Sequence, residues 1–279
     1  MLNEALYTRE AISHWEQLMQ WYGNYTVTGE QWLFRGVGDS RWGFQTSLER
    51  AVKNFGIDTT KHKLADLEDG LIRRFKRQCH HYLRHLPDDE NTIEWLAMMQ
   101  HYGAPTRLSD WTHSLFVGLF FAVENSSQEC AVWALNDNWT TENAKAVLPA
   151  AARDALENDG NREKASTFDL VFRGMPPIPF VLPIEPFKFN DRLVMQQGAF
   201  VCPGNVAASF EENLEATLLR PGHEGKLIKL VIENDAKLRK EIIKNLNRMN
   251  MNAATLYPGL AGFAQSLRTM LVEPEILRP

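Results

Sequence analysis

The sequence predicts an α+β fold: a single domain in which helices surround a mainly antiparallel, mixed sheet. Three observations predict it. Some windows carry apolar residues at helical spacing, while others carry short continuous apolar runs of strand length. The two kinds follow one another without the regular alternation that a parallel sheet requires. No proline- or glycine-rich linker divides the 279 residues, and that length is ample for one large core.

Taken in order, residues 8–23 predict an amphipathic helix, with Ile12, Trp15, Leu18, Met19 and Tyr22 near one face. This segment is assigned as an N-terminal helical piece, 1–24, ahead of a main domain over 25–279. Gln31–Gly38 predicts a strand carrying Arg35 and ending in glycines, followed by a polar loop. Residues 64–87 predict a long basic helix. Residues 92–124 predict an apolar helix stopping at Gly103, an extended polar piece, and a second apolar helix beginning near Ser114. Pro105 blocks continuation of the first helix and favours an extended Ala104. Cys130–Leu135 predicts a buried strand, 143–158 a helix and 159–166 a surface loop. Five prolines between 176 and 186 punctuate short extended pieces. A helical turn from Asp191 leads into a strand that stops at Pro203-Gly204. Lys226–Ile232 predicts another strand, 234–248 a charged helix, and Ala261–Met270 a short one.

The 44% hydrophobic and 23% charged content is ordinary for a globular protein, and a net charge of -5 gives no general attraction to nucleic acid or membrane. Cys79, Cys130 and Cys202 are far apart and odd in number, which argues against a disulfide framework or a cysteine zinc site. The first residues lack a signal peptide's pattern, and no run reaches the length of a membrane span. A cytoplasmic location without membrane contact is therefore expected.

Three sets of residues are candidates for chemistry. Arg35 sits among bulky apolar neighbours, and its planar fork suits a carboxylate or a phosphate. A structural ion pair with an acid such as Asp110 serves equally well. The second set is Thr106, Arg107, Asp110 and Thr112, with Gln100 and His101 just before. A polar crossing between two apolar helices lies near the core, where such groups need partners. Arg107 and Asp110 could simply lock it. The third set is Arg192, Gln196 and Gln197, whose amides precede Gly198 and can hydrogen-bond a ribose without charge. A capping role for that turn is the plainer alternative. His80, His81 and His85 lack the neighbours of a zinc site, so no metal is expected. The basic run from Arg73 to Arg84 reads as a solvated face that could meet phosphates.

Trp32-Leu-Phe-Arg-Gly36, the run from Gln100 to Thr112 and Arg192-x-x-x-Gln-x-Gly-x-Phe200 together resemble the FRG domain family, named for its Phe-Arg-Gly motif. Leu256–Gly262 is similar to that family's closing motif, so the resemblance spans about residues 25 to 270 of the main domain, 25–279. The order of the motifs is in turn similar to the three-motif plan of ADP-ribosyltransferases. That likeness implies an ADP-ribosyltransferase-like core with NAD as substrate. Arg35, Gly36, Asp110, Trp111, Thr112 and Gln197 would contact NAD, and Arg35, Asp110 and Gln196 would be catalytic. Two departures weigh against a simple carry-over: Asp-Trp-Thr replaces a serine-rich strand, and a neutral Gln replaces the usual Glu. The resemblance further implies a macromolecular acceptor (RNA, DNA or protein), a role as a toxin or phage-defence effector, and an antitoxin or inhibitor protein as partner. The alternative is a nucleotide- or ligand-binding regulatory module without chemistry.

Overall fold

Seven short strands pair into one sheet in the computed structural model, which describes residues 2–26, 29–158, 165–174 and 176–272. The strands are β1 (Thr8–Ile12), β2 (Trp32–Val37), β3 (Ser109–Thr112), β4 (Cys130–Asn136), β5 (Val181–Ile184), β6 (Gly198–Pro203) and β7 (Leu227–Ile232). Their order is β1-β7-β4-β2-β3-β6-β5. Every pairing is antiparallel except β1 with β7. The mixed, mainly antiparallel sheet is thus as the sequence predicts.

The first helices are α1 (Trp15–Thr26), α2 (Ser47–Asn54), α3 (Leu64–Cys79), α4 (Thr92–His101) and α5 (Leu115–Val123). Next come α6 (Asp137–Lys145), α7 (Ala150–Asn158), α8 (Ala165–Phe172) and α9 (Asp191–Met195). The chain ends on α10 (Phe210–Leu218), α11 (Ala236–Arg248), α12 (Ala253–Leu256) and α13 (Leu260–Met270).

Side chains alternate across a strand, so each sheet face collects every second residue. One face carries Phe34, Val132, Leu230 and Ile12 under α1, α5 and α11. Farther along the same face, Phe200, Cys202 and Leu182 pack with α3, α4, α7 and α8. The opposite face carries Leu33, Trp111, Trp133 and Val201 against Phe44 and α10.

Four expectations need correction. The helix expected over 8–23 begins only at Trp15, because Thr8–Ile12 pairs with β7 as an edge strand. The helix expected to reach 87 ends at Cys79. The helix expected over 143–158 is two, α6 and α7, parted before Pro149, whose ring cannot continue a helix. Helix α10 had no counterpart among the expected elements. The loop expected over 159–166 lies mostly outside the described residues, and Ala165 and Ser166 open α8. Among the proline-punctuated pieces, β5 tolerates Pro183 because it forms the sheet's edge.

Among the described residues, no helix is long and apolar enough to cross a membrane. The three cysteines are buried and free.

Candidate functional site

The site begins where α4 stops. Gly103 takes a left-handed φ of 80°, its N–H donates to the Gln100 carbonyl at 3.1 Å, and that of Ala104 donates to Met99 at 2.8 Å. This is a Schellman close, which favours glycine at that position. Pro105 then turns the chain into the sheet as β3.

The crossing is locked by polar contacts to distant elements. The Thr106 hydroxyl donates to Gln100 Oε1 at 2.6 Å, and the Thr106 N–H donates to Ser47 Oγ at 2.9 Å. The Thr106 carbonyl in turn accepts from the Leu48 N–H at 3.0 Å. Arg107, 3% exposed, is paired with the fully buried Glu68 of α3: Nε donates to Oε2 at 2.7 Å, and Nη2 reaches the same oxygen. Its Nη1 donates to the Phe172 carbonyl at 3.0 Å. Burial alone would lower the Arg107 guanidinium, but the Glu68 carboxylate overrides it and holds the group above its ordinary pKa. The expected Arg107–Asp110 lock is therefore corrected to Arg107–Glu68. Thr106 and Arg107 belong to the scaffold.

Strand β3 lies between β2 and β6, so the three motifs read from sequence meet on adjacent strands. It touches β2 through a single pair, Phe34 with Thr112, beyond which the two strands part. Arg35 bridges the gap: its Nη1 donates to the backbone carbonyl of Asp110 at 2.5 Å. Part of this residue's surface meets solvent, yet burial pushes the guanidinium below its ordinary pKa. Asp110 opposes that shift and Arg50 adds to it. The expected pairing of Arg35 with the Asp110 carboxylate is thus replaced by a bond to its carbonyl.

The register sets Arg35 on the face of Trp133 and Asp110 on that of Phe200. The Asp110 carboxylate is exposed, and its Oδ2 accepts from Gln100 Nε2 at 2.9 Å. It opens on a hollow of about 50 Å³ shared with Gln196, Arg192 and His101. Arg35 is not part of its lining.

Gln196 is half-buried, and its Nε2 donates to the Leu256 carbonyl at 3.0 Å, which pins α12 beside the hollow. Its own carbonyl accepts from Thr112 Oγ1 at 2.6 Å. Gln197 is exposed with a left-handed φ of 45°, outside the lining. Arg192 lies over the Tyr257 ring at 5.2 Å. Burial and the Arg192 charge lower the His101 pKa, with Asp191 opposing.

Two further expected contacts are structural. A Cβ on Gly36 would stand 2.0 Å from the Gly118 carbonyl, so the missing side chain lets α5 lie directly on β2. Trp111 is buried on the far face, stacked on Phe44 at 5.9 Å.

Sequence reasoning missed two neighbours. Burial raises the Glu124 pKa against Gln265 and Arg268, and burial with the Glu124 charge raises that of Tyr257. Asp110 also acts on Tyr257, which places this phenol among the charges of the site. The signal for Glu124 was available: it is the charge that closes the wholly apolar run from Leu115 to Val123. Among the described residues, no group of three or more His, Cys, Asp or Glu is placed to hold a metal.

Residues 30–130 match the family model described as FRG domain. The match spans β2 through the start of β4, including Arg35 and Asp110, and leaves Arg192, Gln196 and Tyr257 beyond it. No curated protein and no solved structure matched the chain.

Proposed function

We propose, from the premise that residues 30–130 are an FRG domain, that this protein is an ADP-ribosyltransferase-like enzyme consuming NAD to modify a macromolecule. The observation that carries the reading is the state of Asp110. Its carboxylate faces the hollow beside Gln196 and is held by the neutral Gln100 amide. Arg107 is spent on Glu68, and Arg35 on a carbonyl.

Breaking the ribose–nicotinamide bond sends the bonding pair to nicotinamide and builds positive charge on the ribose. A carboxylate placed in advance stabilises that charge without reorganising. Asp110 takes this role, which the neutral Gln196 cannot. The Gln196 amide orients a ribose hydroxyl. The acceptor atom bonds to the ribose carbon and gives up its proton, to Asp110 or to water. Arg35 acts at one remove, fixing the Asp110 backbone. A hollow of about 50 Å³ is smaller than a dinucleotide, so this reading requires the site to open before NAD binds. A cytoplasmic effector or toxin role, masked by an inhibitor protein, fits such an activity.

One observation favours a second reading. Gln196 is neutral and can orient a ribose hydroxyl but cannot take a proton, which also suits a nucleotide-binding regulatory module without chemistry. Mass spectrometry separates the two. Wild-type protein with NAD and total cellular RNA, DNA and protein should release nicotinamide, and Asp110→Asn should slow release about a hundredfold. Intact NAD beside properly folded wild-type protein would rule out the enzyme. Thermal stabilisation by ADP-ribose without turnover would establish the module instead.

A further inference from the structure

Outside the hollow, the largest concentration of positive charge lies on α3 and the turn after it. Residues 70–87 hold five Lys and Arg, three His and no acid, in a chain of net charge -5. Arg73, Arg74, Arg77 and Arg84 are all exposed. The neighbouring carboxylates of Glu68 and Asp69 are taken by Arg107 and Arg173. Among the described residues, the four guanidiniums hold no ion pair. Lys76 is spent on the far flank, where its amine donates to the Asp89 carbonyl and sits 5.1 Å from the centre of the Trp95 ring.

Beside this ridge a cleft of about 550 Å³ opens between α3 and the end of α4. Its walls are apolar, with Phe75, Cys79 and Met99 among them, and Arg74 lies on its border. Tyr82 and Tyr102 also line it, and they are 84% and 57% exposed. Exposed aromatic faces beside unpaired arginines are what single strands use: bases stack on the rings while guanidiniums follow the phosphates. A duplex hides its base faces, so the rings would be idle against it. The cleft and the hollow flank the last turn of α4 on its two sides. Tyr102 in the cleft and His101 in the hollow meet edge to face at 4.8 Å across the end of α4.

We propose that the α3–α4 cleft binds single-stranded nucleic acid and leads it toward Asp110. Its role as the route of the acceptor rests on the transferase reading; the binding itself does not. Phosphates lie along Arg73, Arg74 and Arg77, and bases stack on Tyr82 and Tyr102.

Fluorescence anisotropy of the full chain with labelled oligothymidylate and oligouridylate of about a dozen nucleotides tests this. Binding should weaken with salt at a log–log slope of about -2, for three phosphates on a single strand. The double variant Arg74→Glu/Arg77→Glu should lose about tenfold or more. Tyr82→Ala, at an exposed position outside the core, should lose roughly tenfold. Lys240→Glu on α11 should change nothing, and circular dichroism checks each fold. Absence of binding at low salt overturns the proposal. So does equal affinity for a duplex, indifference to Tyr82→Ala, or stronger binding of polyglutamate, which would mark an acidic protein as the occupant. The assay contains no NAD, so its failure counts against the cleft alone. Intact NAD beside a bound oligonucleotide counts against the transferase reading alone.

Discussion

Two arginines shape this region, and each is judged by its acceptor. Arg35 donates to a carbonyl where β2 and β3 part, giving a backbone oxygen a partner that no strand supplies. Arg107 instead meets a full negative charge inside the protein, with Glu68 at 0% exposure. A buried pair of this kind adds little net stability compared with apolar packing, but breaking it strands an unpaired charge. Arg107→Met alone should therefore cost about 3–5 kcal/mol. The double change Arg107→Met/Glu68→Leu should cost much less than the sum of the singles. Urea unfolding of the three variants checks this, and simple additivity would show that the two side chains do not depend on each other. The pairing was not legible in the sequence, since Glu68 lies 39 residues before its partner. The nearer Asp110 was the natural guess, but β3 turns its carboxylate toward the hollow.

The elements that read clearly were those whose local signals agreed. Helix α5 is apolar throughout, Ser114 caps it, and β2 and β4 are short apolar runs. Strand β1 was hidden because Thr-Arg-Glu-Ala-Ile shows little apolar alternation, and at the sheet's edge only its last residue, Ile12, is buried. Helix α10 was missed although Ser209 and Glu212 form a capping box, a signal present in the sequence. The site was legible as three motifs and illegible in its depth, because the size of a hollow depends on side-chain directions that spacing does not fix.

Gly36 shows how one residue sets the distance between elements. A Cβ there would stand 2.0 Å from the Gly118 carbonyl and 2.6 Å from the Ala122 nitrogen, and both are backbone atoms that cannot turn aside. Gly36→Ala should push α5 off the sheet and cost about 3 kcal/mol or more. Gly38→Ala, whose Cβ would find its nearest neighbour at 4.0 Å, should be nearly neutral. Thermal melts of both separate a packing role from a ligand role. A well-folded Gly36→Ala that had lost only ligand binding would return Gly36 to the site.

Across the whole molecule, the sheet keeps two cores on one face and one on the other, and the hollow opens at the seam between the first two. Charged groups brought to that seam are half-buried, and their protonation links stability to pH. Glu124 is raised by burial, so the folded protein holds that proton more tightly than the unfolded chain. Its charged form costs stability, a cost absent below the unfolded pKa of about 4.3 and growing as pH rises through the folded value. His101 is lowered by burial and by Arg192, so its contribution is present above about pH 6.5 and is lost as pH falls through its folded value. The two slopes oppose each other. Glu124→Gln should keep an acceptor for the Gln265 amide, which donates to it, and raise the melting temperature near pH 7 while leaving it unchanged near pH 4. Solvent screening of half-buried groups holds the gain below about 1 kcal/mol, a shift of order 2 °C. His101→Asn should instead flatten the loss of stability on the acid side of about pH 6.5. Melting curves across this range decide the matter: a Glu124→Gln gain that persists at the acid end would mean that packing, and not the buried charge, produced it.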